Sequence, residues 1–398
     1  MSFISITRPV YAGLFILISV IVGCGKSGGD VDNPAPDLVS IPVFETRQLV
    51  HVSEFGDGLF FSNIAGVDVH TDGTIFVTDY STDRIYLFDS RGNFGGFIGG
   101  NGAGPGEFKE IITTKFITPD SLAVMDWGNR RTTFFTQANG RWSPSRFADH
   151  PENPGAAESI FYFPNNVYQF DNRYIYTFSS SFSSIDTTTQ SNLIFQEYEH
   201  NATLVGDGLL HKVLLSKPYV IREGGRSVSV FPIPENYGAY YAVTKDLNLI
   251  YNWSANRTIT IHPLLGGTSS QFEIHSARLV LTNEEKRTLT EDFFKGFPDD
   301  WVVPITTGDM IARIPDVKSY VYALHLDDQN RIWVNVNPFV ENGPDWLAYS
   351  LDGELLAAAH GPGGEVRQIR NNRFYTTPGS HNDEPAFSVY EMIPAVRY

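Results

Sequence analysis

Residues 66–108 read GVDVHTDGTIFVTDYSTDRIYLFDSRGNFGGFIGGNGAGPGEF, and their punctuation decides the fold. Val67–His70 is a short strand, and Asp72-Gly73 is a tight-turn dipeptide. Thr74–Thr78 makes a second strand and Arg84–Asp89 a third, and Arg91-Gly92 turns the chain into a fourth at Phe94–Ile98. The glycine-rich run Gly99–Gly106 then carries the chain away. A four-stranded meander has two apolar faces and cannot bury both alone. It needs copies of itself on either side.

The copies are present. Ala323–Val334 lies over Gly66–Val77 position for position, Trp346–Gly353 lies over Ile85–Gly92, and His360–Gly363 echoes Ala103–Gly106. Lys115–Trp142 is another copy, in which Asp126 and Arg131 keep the spacing of Asp79 and Arg84. Weaker copies begin near Val167, Ala242 and Arg367, which brings the units to six. Radial repetition of this kind predicts an all-β fold, a six-bladed β-propeller of four-stranded antiparallel blades over residues 44–398. Glu45–Val52 is a lone strand ahead of the first unit, and the last unit has only three strands of its own. Their pairing is expected to tie the two chain ends together.

The wording of the first unit resembles the NHL-type repeat. Asp72, Gly73, Ile75, Val77, Asp79, Arg84, Ile85, Phe88, Asp89 and Gly92 carry that likeness, followed by the connector Gly102–Phe108. More narrowly, the chain resembles the six-bladed β-propeller lipoproteins of bacteria. That resemblance implies an envelope protein with a helix inserted between blades four and five. Asn283–Lys295 is the one convincing helix, with Thr282 as N-cap, Glu285 as its capping-box partner, and Gly296 and Pro298 to end it.

Residues 1–23 form a signal segment, in which Arg8 precedes the apolar run Val10–Val22. Ile21-Val22-Gly23-Cys24 resembles a lipobox, so Cys24 is the expected lipidation site and the expected location is the bacterial outer membrane. Residues 24–43, rich in Gly, Pro, Asp and Ser, read as a flexible tether. Cys24 is the one cysteine, so an intramolecular disulfide is excluded, and a net charge of −16 argues against nucleic acid as a partner. The lipid anchor is the expected membrane contact and a monomer the expected state. The expected ligand is a protein, small molecule or glycan.

Chemistry is harder to read. The Asp79…Arg84 and Asp126…Arg131 spacings suggest salt bridges closing a turn. No H-E-x-x-H, paired-histidine or G-x-S-x-G spacing occurs, so no catalytic, cofactor-binding or metal-binding residue is assigned and no cofactor is expected. The repeat alignment places Asp68, Lys115, Val167, Ala242, His325 and Arg367 at equivalent positions near the ring axis. Of these, Asp68 and His325 are the candidate channel-lining residues. The mixed set favours a non-enzymatic binding module, with a metal-dependent hydrolase or lyase centred on the channel as the alternative.

Overall fold

The structure is a computed structural model that describes residues 34–151, 162–180, 191–199, 203–217, 219–223, 226–231, 233–295, 305–379 and 383–395. The signal segment and Cys24 lie outside the described residues. Among the described residues no helix is long and apolar enough to cross a membrane.

The first unit forms as its turn residues dictate. Ile64–Val69, Ile75–Asp79, Arg84–Phe88 and Phe94–Gly99 make a four-stranded sheet in chain order. Gly73 closes the first turn at φ +91°, its N–H donating to the His70 carbonyl at 3.0 Å. Val67, Val77, Tyr86 and Phe97 stand opposite one another across the ladder. Every residue of Ile75–Asp79 is buried, which alternation with a solvated face would not allow. Three further sheets of four strands follow, over residues 111–149, 162–216 and 239–273. A two-stranded hairpin, Tyr219–Glu223 with Arg226–Phe231, lies between the last two.

The apolar clusters lie between sheets. Phe76 and Ile85 of the first pack with Leu122 and Val124 of the second. Ala123 and Met125 meet Tyr174 and Tyr176 of the third, and Leu193 and Phe195 meet Leu249 of the fourth. Burial of each such large side chain stabilises the fold by about 1.5–3 kcal/mol.

The expectation of six separate blades is corrected at the chain ends. Four four-stranded sheets are joined by one sheet of eight strands. Val321–Leu326, Ile332–Val336, Trp346–Tyr349 and Leu355–Ala359 form one half of it. Val43–Val52, Phe387–Pro394, Arg373–Thr377 and Glu365–Arg370 form the other. The reason is that Val43–Val52 has two partners. It runs antiparallel to Phe387–Pro394 over eight residue pairs and parallel to Leu355–Ala359 over two. The two edge strands of the sheet, Val321–Leu326 and Glu365–Arg370, lie beside each other, so the sheet nearly closes on itself. The tying of the two chain ends is observed, and the same strand fuses two units that the repeat alone would keep apart. Ahead of it, Leu38 and Ile41 are half-buried against the core of this sheet.

The helix Asn283–Lys295 has the expected bounds. Glu285 N–H donates to Thr282 Oγ1 at 3.2 Å, and Thr282 N–H to Glu285 Oε2 at 2.8 Å. It buries Lys286, Thr290 and Phe293, and Phe293 packs with Ile305 and with Met310 of a second short helix, Thr307–Ile311. Lys286 Nζ bonds the Ile314 carbonyl at 2.9 Å and Asp316 Oδ1 at 2.6 Å, which accounts for a buried lysine on that face.

Candidate functional site

The first strands of the units bring the polar residues together. Glu365–Arg370 lies beside Ile64–Val69, which lies beside Ile111–Thr118, which in turn lies beside Tyr162–Phe170. Ala239–Val243 lies beside Val321–Leu326, and that strand beside Glu365–Arg370. These strands surround an axis. Gln368 pins one of these neighbours, its Oε1 accepting from Val69 N–H at 2.6 Å.

Asp68 Oδ2 accepts from Thr114 Oγ1 at 2.5 Å, and Thr114 Oγ1 lies 3.1 Å from Thr78 Oγ1. Burial pushes the Asp68 carboxyl up, against the hydrogen bond from Thr114 and the charge of Lys115. Burial pushes the Lys115 ammonium down, against the charge of Asp68. Lys115 Nζ lies 5.3 Å from the centre of the Tyr168 ring. Tyr168 and Tyr241 are themselves pushed up by burial, Tyr241 to about 12.

His325 is held down at about 4 by burial and by the guanidinium of Arg367. It is therefore neutral at pH 7, and it makes no side-chain hydrogen bond among the described residues. Its ring lies 5.8 Å from that of Trp346. Arg367 is fixed by Glu365 at 2.9 Å and by Thr377 Oγ1, to which its Nε donates at 2.8 Å.

Asp68 lies on Ile64–Val69 and His325 on Val321–Leu326, each beside a cation rather than beside each other. Two alignment positions are corrected. Val167 is fully buried in the core between the second and third sheets, and Ala242 packs into the core of the fourth. Their neighbours Tyr168 and Tyr241 are the polar residues there. At both positions the alignment is one residue out, and one residue exchanges the two faces of a strand. Thr114, Thr78 and Gln368 were missed because a threonine or glutamine in a strand carries no motif.

The salt-bridge reading of the repeated Asp and Arg is also corrected. Asp79 stands opposite Arg84 in the ladder, but its carboxylate accepts the N–H groups of Ser62, Asn63, Ser81 and Thr82 at 2.6–3.4 Å. Arg84 lies over the Phe97 ring at 4.5 Å. Asp126 likewise takes the N–H groups of Lys109, Glu110 and Asn129, while Arg131 donates to the carbonyls of Ala103, Gly104 and Glu107. The acid closes the turn and the base holds the glycine-rich connector. Both are scaffold.

The axis does not suit a resident divalent metal. Asp68 feels the charge of Lys115 and His325 that of Arg367, and no group of three His, Cys, Asp or Glu residues converges among the described residues.

A family model described as "6-bladed beta-propeller" matches residues 56–201. That description does not carry over to this chain, whose described residues form four sheets of four strands, one of eight and two of two. No curated protein matches. Among solved structures, a DUF4221 family member from Bacteroides vulgatus is similar at 10% identity and a TM-score of 0.48, over 88% of this chain and 99% of that one. Regucalcin, a calcium-binding protein from Agrobacterium tumefaciens, matches at 9% identity and a TM-score of 0.38, over 89% and 97%. Virginiamycin B lyase from Staphylococcus aureus matches at 11% identity and a TM-score of 0.34, over 89% and 90%. Several of the structures matched are thus enzymes by title, although their activities are their own. The expectation of a non-enzymatic binding module is corrected. What stands against it in this molecule is the pair Asp68 and Lys115, an acid and a base with opposed shifts on adjacent strands.

Proposed function

We propose that this chain is an enzyme of hydrolase or lyase type that works by acid–base chemistry at the axis. One observation carries the reading: burial drives the Asp68 carboxyl toward its protonated form and the Lys115 ammonium toward its neutral form on adjacent strands. The neutral His325 supplies a second base, and Arg367 a fixed positive charge for an anionic group of the substrate. In an elimination, Lys115 or His325 takes a proton from carbon, whose bonding electrons form the double bond. The leaving oxygen departs with its own pair and receives a proton from Asp68. In a hydrolysis the same base takes the proton from water instead.

The test is turnover of a panel of lactones, aryl esters and β-eliminating uronides by the purified full chain, with and without EDTA. Chelator-resistant turnover is expected, falling about 10²–10⁴-fold in whichever of Lys115→Met and His325→Ala removes the base. Turnover that survives Asp68→Asn, Lys115→Met and His325→Ala alike would sink the axial assignment. Strict dependence on added divalent metal would sink the metal-free chemistry. We also propose that the enzyme is held at the outer membrane by lipid at Cys24. Radiolabelled palmitate incorporated by the wild type and not by Cys24→Ser checks this.

A further inference from the structure

A cleft opens where the eight-stranded sheet divides. Val43 and Phe44 pair in parallel with Ala358 and Ala359, and beyond them the strand stays with Phe387–Pro394 alone. The space left behind is a cavity of about 380 Å³. Its walls include Gln48, His51, Thr376, Thr377, Ser388 and Tyr390, and the backbone of Gly363-Gly364 borders it.

The lining is a set of neutral donors and acceptors. Thr376 is only 2% exposed, and neither it nor Gln48 makes a side-chain hydrogen bond among the described residues. Ser388 Oγ and His51 Nδ1 lie 2.9 Å apart, and each keeps further hydrogen-bonding capacity. Tyr390 adds one aromatic ring. Among the described residues no lysine or arginine lines the cavity, and Asp383 is the one acid. Arg367 reaches Thr377 from outside and is already bound there and by Glu365. Phosphates and carboxylates therefore find a carboxylate and no free cation. Ligand hydroxyls can meet the donors and acceptors that Thr376, Gln48, Ser388 and His51 keep open among the described residues.

We propose that this cleft is a second site, separate from the axis, that binds a neutral polyhydroxylated ligand of the size of one or two sugar rings. Its volume falls within the usual range for small-molecule sites.

The experiment is saturation-transfer NMR on the full chain, in a detergent without a sugar headgroup. The probes are methyl glucoside, methyl mannoside, methyl galactoside and maltose, with inorganic phosphate and citrate as anionic controls. At least one glycoside is expected to bind, and Thr376→Val and Gln48→Leu each to weaken it about threefold to tenfold. Asp68→Asn is expected to leave that binding unchanged, so failure here and failure of the axial reading are told apart. Gln48 is exposed on Val43–Val52, so its variant folds even where that of buried Thr376 does not. Absence of transfer for every glycoside, binding that Gln48→Leu leaves within twofold, or displacement by phosphate or citrate would each overturn the proposal.

Discussion

The sheet at residues 64–99 and the sheet that carries the chain ends are built from the same repeat and end differently. The first stops at four strands, its outer edge formed by Phe94–Gly99. The other runs to eight, because Val43–Val52 arrives from the far end of the chain with an edge to offer on each side. A repeat specifies its own internal ladder. It does not specify what a strand outside the repeat does with its second edge. The two attachments are unequal, since eight antiparallel pairs hold one side and two parallel pairs the other.

The largest effect is expected from breaking the strong attachment. Val50 and Val52 are both 8% exposed and pack with Phe387, Val389 and Tyr375 against the first sheet. Val52→Asp places an unpaired carboxylate in that cluster, and a loss of about 4–5 kcal/mol in denaturant unfolding is expected. The corresponding outer-edge substitution in the first sheet, Phe97→Asp, alters a residue that is 48% exposed and is expected to cost under about 1 kcal/mol. Equal losses would mean that the end strand is no more important than any other edge.

Next comes the turn acid of the regular sheets. Asp79 holds four backbone N–H groups, so Asp79→Ala is expected to cost about 3–4 kcal/mol. Arg84→Met removes only a guanidinium stacked on Phe97 and is expected to cost about 1 kcal/mol. A double-mutant cycle should give a coupling energy near zero, whereas a coupling above about 1 kcal/mol would restore the salt bridge.

Acid tests both regions together. His150, just after the last strand of the second sheet, and His325 in the eight-stranded one are each pushed down by burial to about 4. Their folded pKa values lie below the unfolded value of about 6.5. The stability that each contributes as a neutral ring is therefore complete above pH 6.5 and lost as pH falls toward 4, roughly 3 kcal/mol apiece. Urea midpoints measured between pH 7 and 4 check this: His150→Phe and His325→Phe should each flatten the fall, and an unchanged slope in both would contradict the burial.

Much of this was legible in the chain itself. Asp72-Gly73 announced its turn, Thr282 and Glu285 their capping box, and the three-stranded final unit its need for Glu45–Val52. Each is a local pattern with a single physical outcome. What escaped depended on context at a distance. A two-residue parallel pairing leaves no mark in Val43-Phe44, because its register is set by where Leu355–Ala359 already stands. Asp79 and Arg84 were correctly placed opposite each other, yet ladder adjacency does not say which N–H groups a carboxylate will find. Tyr168 and Tyr241 were hidden because an alignment one residue out puts Val167 and Ala242 in their place, and one residue is enough to exchange the faces of a strand.

The smallest effect lies at the weak seam, and hydrogen exchange reads it. Ala358 N–H donates to the Pro42 carbonyl at 3.0 Å and His360 N–H to that of Phe44 at 2.9 Å. These bonds join the halves through short parallel pairing, whose opening disturbs few buried side chains. By contrast, Val389 is fully buried and paired on both sides, with Val50 and with Tyr375. Its amide should exchange only with global unfolding, whereas Ala358 and His360 should exchange through a local opening that costs several kcal/mol less. Phe44→Thr should speed those two amides further while lowering global stability by about 1 kcal/mol. If all three amides share one opening energy, the seam is as firm as the antiparallel side, and the eight strands behave as one cooperative sheet.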